Sequence, residues 1–150
     1  MKEIEHISRG LFFNKKGELL FCKNKNKDNK EGYFYLPGGH IEFGEAGEKT
    51  LVREMVEETG AEPKELVYCG GFENFFRDGS GEHHEINLVF TGILPESITS
   101  REEHIDFEWM SLEKIGAVDL KPPGIQKIIG GWIKDRRMFW LNIDQTDVSL

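Results

Sequence analysis

A chain of 150 residues, 38% hydrophobic with eleven Phe and a formal net charge of −8, has material for one core and is short for two. Its acidity argues against coating duplex DNA or an anionic membrane, because either task relies on Lys and Arg to neutralise phosphates. No segment approaches the roughly 20 apolar residues of a membrane span, and the N-terminal MKEIEHISRG lacks an apolar signal region, so a soluble, cytoplasmic single domain over 1–150 is expected.

In chain order, a strand is expected within 6–13, a turn at Asn14-Lys15-Lys16-Gly17, and a second strand at 18–23 that completes a hairpin. Residues 23–30 (KNKNKDNK) form a polar lysine-rich loop, read either as plain surface or as an electrostatic collar over a site. Tyr33-Phe34-Tyr35-Leu36 is expected as a short aromatic strand ending at Pro37-Gly38-Gly39. A helix should follow over 46–59, with Leu51, Val52, Met55 and Val56 in a sector of roughly 140° facing the core and Gly60 closing the helix in a left-handed conformation. Strands are expected at 65–73 and 84–92 around an Asp78-Gly79-Ser80-Gly81 turn, and at 107–110 before a capped turn at Ser111. Pro122-Pro123 introduces a helix through Ile125, Ile128, Ile129 and Trp132, with Gly130-Gly131 as an interruption. The tail MFWLNIDQ is strand-like, without an assignable neighbour. Strands before, between and after helices indicate a mixed sheet with helices on its faces. Cys22 and Cys69, far apart and outside any CxxC pattern, are expected as small buried apolar residues of a reducing compartment.

The chemistry concentrates in 39–61, GHIEFGEAGEKTLVREMVEETGA. On a helix Glu54, Glu57 and Glu58 stand at i, i+3 and i+4, so their carboxylates share one face and repel one another unless a cation intervenes. Oxygen-only ligands point to a hard cation, Mg²⁺ or Mn²⁺. Leu36-Pro37-Gly38-Gly39 supplies a glycine turn, directly before that helix, where backbone can approach a ligand closely. An acidic run alone is more often the solvated side of an ordinary helix; the added offsets of Gly39, Glu45 and Gly60 outweigh that reading.

Written G-x5-E-x7-R-E-U-x-E-E-x-G-U, with U a bulky apolar residue, the segment resembles the Nudix box, matched by Gly39, Glu45, Arg53, Glu54, Met55, Glu57, Glu58 and Gly60. Ala61 departs, being smaller than the usual apolar residue. The resemblance implies an α/β/α sandwich with a mixed central sheet and a Mg²⁺-dependent, MutT-like pyrophosphohydrolase acting on a nucleoside diphosphate linked to another group X. It further implies that Glu54, Glu57 and Glu58 bind metal with the Gly39 carbonyl and that Arg53 orients the glutamates. Glu45 would hold the loop or an outer metal, and a homodimer is favoured.

The resemblance further implies a general base outside the box, on the loop before Phe107-Glu108-Trp109. Glu103 is the first candidate there, with Glu102 and Glu58 as alternatives. His83-His84-Glu85 cannot chelate one ion together, because neighbours on a strand point to opposite faces; Glu85 or His84 is expected toward the substrate. Phe72, Phe75 and Phe76 are weighed as core against base stacking, with Phe76 carried forward. Lys23 and Arg77 are candidates for terminal phosphates on charge alone. The substrate expected is a small nucleotide: a nucleoside triphosphate, a sugar nucleotide or ADP-ribose. Two rivals stand beside the hydrolase, a nucleotide-binding regulatory module on the same fold and a pyrophosphohydrolase of RNA 5′ ends.

Overall fold

A computed structural model describes residues 2–25 and 32–146. Most of the lysine-rich loop expected at 23–30 lies outside the described residues. Among the described residues seven strands are formed: β1 (Glu5–Phe13), β2 (Leu19–Asn24), β3 (Gly38–His40), β4 (Lys64–Asp78), β5 (Gly81–Ile93), β6 (Ile105–Met110) and β7 (Phe139–Asp144). The helices are α1 (Gly47–Thr59), α2 (Leu112–Ile115) and α3 (Ile125–Asp135). One mixed sheet runs β6-β2-β1-β5-β4-β7, with β3 added to β1. β1 runs parallel to β5 from Glu5↔Glu85 to Phe13↔Ile93, and β7 runs parallel to β4 from Gly70↔Phe139 to Phe75↔Asp144.

Strand alternation divides the core in two. Leu11, Leu19 and Phe21 face one side with Phe72, Ile115, Ile125, Ile128, Ile129 and Trp132, so α2 and α3 cover that face. Phe12 and Leu20 face the other side with Leu51, Met55, Phe90 and Leu94, where α1 lies. Helices on both faces make the α/β/α sandwich. Val56 is 38% exposed, so the apolar face of α1 is narrower than its sequence pattern, and Leu51 and Met55 carry the contact.

The hairpin at Asn14–Gly17 pairs its strands only next to the turn, at Phe13↔Leu19. Asn14 Oδ1 accepts the backbone N–H groups of Lys16 and Glu18 there, both at 3.0 Å. Beyond the turn β1 and β2 part, and β2 is held along its length by β6, from Leu19↔Met110 to Asn24↔Ile105. The segment before α1 occupies the gap. Tyr35 bridges to Cys22 on β2, while Gly38–His40 pairs with Ile7–Arg9 on β1. The aromatic strand expected at Tyr33–Leu36 is therefore absent: Phe34 and Tyr35 make isolated bridges, to Leu120 and Cys22, and the paired strand is the glycine segment that follows.

Two other expectations change. The glycines at 130 and 131 do not interrupt α3, because Ile125, Ile128, Ile129 and Trp132 anchor its inner side while both glycines look onto open space. Burial of that face outweighs their weak helix propensity. The tail finds its place as the edge strand β7, with Ile143 buried and Trp140 53% exposed. Ser111 caps α2 as expected, its hydroxyl accepting from Lys114 N at 3.2 Å. Cys22 and Cys69 are buried and free. No helix among the described residues is long and apolar enough to cross a membrane.

Phe21 is fully buried, so Phe21→Ala should cost about 3–5 kcal/mol in urea unfolding. Val56→Ala should stay within about 0.5 kcal/mol of the parent, as surface positions do.

Candidate active site

The turn into α1 is shaped by two glycines with different tasks. Gly38 adopts φ 153, and a Cβ there would fall 1.9 Å from the Ser8 carbonyl oxygen, so the β1–β3 pairing requires glycine. Gly39 has ordinary backbone, but a Cβ on it would lie 2.3 Å from Glu54 Cδ. The missing side chain lets the Gly39 backbone lie against the first box carboxylate.

Arg53 organises the acids around it. Its Nε donates to Glu45 Oε2 at 2.8 Å and its Nη2 to Glu45 Oε1 at 3.0 Å, a two-pronged contact. Nη1 reaches Glu54 Oε1 at 2.9 Å and Glu57 Oε2 at 3.5 Å, and Nη2 also donates to the His40 carbonyl at 3.2 Å. Glu45 further accepts the Thr50 hydroxyl at 2.6 Å. Arg53 first, then Thr50, hold the Glu45 carboxyl down at about 2. One guanidinium thus ties the loop before α1 to two turns of the helix.

Glu58 stands apart from this network. Burial, followed by the negative charges of Glu54 and Glu102, pushes its carboxyl up to about 7, and the Arg9 charge acts in the opposite direction. The loop bearing Glu102 is fixed on the end of α1: Arg101 N donates to the Glu58 carbonyl at 2.6 Å, and the Arg101 guanidinium lies over Gly60, where a Cβ would come within 2.3 Å of it. Gly60 is left-handed at φ 76, as expected. Glu103, the first candidate for the base, is exposed beside it; Glu102 is the loop acid whose charge reaches Glu58.

Among the described residues no three His, Cys, Asp or Glu side chains converge on a point that could hold a metal ion as they stand. Glu54 and Glu57 are turned to Arg53. The donor set still fits a hard divalent cation, since it is all oxygen, and the raised Glu58 marks negative charge that a cation would balance.

A cleft of about 450 Å³ lies nearby; none of the α1 glutamates lines it, but Arg9 and Tyr35 on its wall are within charge range of Glu58. Phe76, Arg77 and Glu85, three of the four residues expected at the substrate, line it. Lys23 is not among its lining residues; its ammonium lies over the Phe34 ring, 5.3 Å from the centroid. Phe76 stacks on His83 at 4.5 Å and Phe75 on His84 at 4.3 Å, while Phe72 is buried in the core. His83 and His84 bond separately, to Glu5 and Asp78 and to Glu73 respectively, in keeping with opposite faces of β5.

Sequence reasoning missed Arg9, Tyr35, Asn74, Lys121 and Gln145 in the cleft wall. Arg9 carried no local signal, since it follows Glu5, His6 and Ser8 in the polar first half of β1. The remainder come from distant segments joined only by the fold.

A model described as NUDIX domain matches residues 6–130. An ADP-ribose pyrophosphatase of Methanocaldococcus jannaschii is 43% identical over 76 residues, 51% of this chain and 43% of that protein, so the match spans under half of that relative. An 8-oxo-dGTP diphosphatase of Escherichia coli is 30% identical over 130 residues, 86% of this chain and 95% of that protein. The crystal structure of a MutT protein from Methanosarcina mazei superposes with a TM-score of 0.70 at 27% identity, covering 90% of this chain and 96% of that one. A MutT protein from Bacillus halodurans, at 18% identity and a TM-score of 0.78 over 95% of this chain and 91% of that one, shares the fold.

The two glycines should separate in experiment. Gly38→Ala is expected to lower the melting temperature, whereas Gly39→Ala should melt like the parent but bind Mn²⁺ about tenfold more weakly in a calorimetric titration, because Glu54 must move.

Proposed function

Because this chain belongs to the Nudix family, hydrolases acting on phosphoanhydride bonds, we propose that it is a divalent-metal-dependent pyrophosphohydrolase of a nucleoside diphosphate linked to X. The observation that carries this reading is the Arg53-centred set of acids on α1 against Gly39, opening beside a cleft with aromatic and cationic walls. The family generally uses divalent metals. Here Glu54, Glu57, Glu58 and the Gly39 carbonyl would hold Mg²⁺ or Mn²⁺, which when bound supplies charge screening for phosphate oxygens and a more acidic water.

The chain's own residues account for the rest. Arg53 holds Glu54 and Glu57 in place, and Glu45 holds Arg53. Glu102, within charge range of Glu58, is our choice for the base that takes the proton of the attacking water, in place of Glu103. Phe76 offers a flat face to a base, Arg77 a cation and Glu85 an acceptor. For X, the relatives named above supply two classes to test, ADP-ribose and an oxidised deoxynucleoside triphosphate. A net charge of −8 with cations gathered on one cleft supports a small anionic nucleotide over duplex nucleic acid. The proposed assembly is a homodimer and the proposed compartment the cytoplasm; sedimentation showing monomer alone at micromolar concentration contradicts the former.

The test is hydrolysis of nucleoside triphosphates, sugar nucleotides, ADP-ribose and dinucleoside polyphosphates with Mg²⁺ or Mn²⁺, with products identified. Glu57→Gln and Glu102→Gln should each lower turnover by about 10² or more, and Glu103→Gln by no more than a few fold. The opposite order for the last two returns the base to Glu103. A folded, metal-binding protein with no turnover on any member favours the regulatory module. Binding to a 5′-triphosphorylated oligonucleotide with a steep salt dependence favours an RNA substrate.

A further inference from the structure

Arg9 is held in a setting unlike that of any other cation in the cleft. It projects from the middle of β1, paired in register with Gly38 on one side and Val89 on the other, so the strand that seats the glycine turn also seats this side chain. Nε donates to Asn87 Oδ1 and Nη1 to the Leu36 carbonyl, both at 3.1 Å. These two bonds fix the plane of the guanidinium. Asn87 is fully buried and is itself bonded to Glu85 Oε2 at 3.4 Å; Glu85 accepts from Asn74 at 3.3 Å, and Asn74 from Gln145 at 2.8 Å. The ladder runs along the wall of the cleft that Arg9 lines.

The immediate neighbours of Arg9 form no ion pair with it. Among the described residues no carboxylate oxygen lies within 4 Å of it, whereas Arg53 has four acids and Arg77 is engaged by Glu82 at 2.6 Å. Both of its bonded partners are neutral acceptors, an amide and a peptide carbonyl, and neither uses Nη2. A half-buried guanidinium in a protein of net charge −8, with no carboxylate at ion-pair distance among the described residues and with donors left over, is arranged for an anion that comes from outside. Its register partner Gly38 precedes Gly39, which lies against Glu54, so Arg9 stands between the cleft and the acids of α1.

We propose that Arg9 is a phosphate-binding residue, donating from Nη2 to a non-bridging oxygen of the substrate's diphosphate at the junction of the nucleoside cleft and the α1 glutamates. The proposal rests on the pyrophosphohydrolase reading for the identity of its anion. A planar fork fixed by Asn87 and Leu36 would align the diphosphate without moving on binding, and Lys121 on the same cleft wall adds a second cation.

The experiment is equilibrium binding in EDTA, where no turnover occurs, of ADP against adenosine and of GDP against guanosine. The wild type, Arg9→Gln, Arg9→Lys and, as a control for net charge, Lys16→Met on the β1–β2 turn are compared at one salt concentration. Wild type should prefer the diphosphate in at least one pair. Arg9→Gln should cut that preference about tenfold while nucleoside binding stays within twofold, Arg9→Lys should fall between, and Lys16→Met should match wild type. If Arg9→Gln does not fold, Arg9→Lys decides, with about a threefold loss expected. An unchanged preference in the Arg9 variants, an equal loss for nucleoside and nucleotide, or a wild type with no preference overturns the proposal. Loss of diphosphate preference in a protein that hydrolyses nothing would leave Arg9 as a phosphate ligand and remove the hydrolase reading alone; hydrolysis with an unchanged preference removes Arg9 alone.

Discussion

Three glutamates within two turns of one helix repel one another, and the guanidinium of Arg53 is what holds two of them, Glu54 and Glu57, in fixed positions beside the glycine turn. The same group clamps Glu45 and the His40 carbonyl, so the loop before α1, the start of the helix and its acidic face form one bonded unit. Glu45 lies eight residues before Arg53, beyond the reach of ordinary helical pairing, and the contact exists only because the loop folds back over the helix. The result is a set of carboxylates under tension: Glu54 and Glu57 lean on Arg53, while Glu58, outside its reach, is left with its charge disfavoured by burial and by its neighbours. In the metal-dependent reading proposed above, a divalent cation would relieve that excess.

The sheet explains why a cleft opens next to those acids. β1 and β2 leave their turn as a hairpin and then separate, β2 toward β6 and β1 toward β5, and the chain that fills the space ends in Gly38–His40. Arg9 on β1, Tyr35 in the inserted segment and Glu85 on β5 consequently face one hollow, next to the helix that the insertion leads into. An acidic protein in this way gathers several cations where an anion can enter, and overall charge says little about the local field.

The arrangement of the candidate site was legible in the sequence where it is local. Spacing on one helix, a glycine at each end and the amphipathic pattern locate Gly39, Arg53 and Glu54 through Gly60, because helical geometry turns sequence intervals directly into distances. The cleft was legible only in fragments: Phe76, Arg77 and Glu85 lie on one hairpin, whereas Arg9 and Gln145 reach it through two parallel strand pairings and Lys121 beside the Phe34–Leu120 bridge, with no local signature. Lys23 was chosen by charge alone and went to an aromatic ring. Gly130 and Gly131 misled for a related reason, since propensity is a local quantity and the four apolar anchors of α3 are not. The Tyr33–Leu36 segment has the composition of a strand, but its neighbours on the two sides belong to different parts of the chain, so it bridges where a strand would have paired.

The most direct measurement is anomalous diffraction from a crystal soaked in Mn²⁺, which locates the ion without reference to turnover. The account predicts a peak between the Gly39 carbonyl and the carboxylates of Glu54, Glu57 and Glu58, with Arg53 still bonded to Glu45. A peak at another acidic cluster, such as Glu5 and Asp78 around His83, or no peak at saturating Mn²⁺, would contradict it.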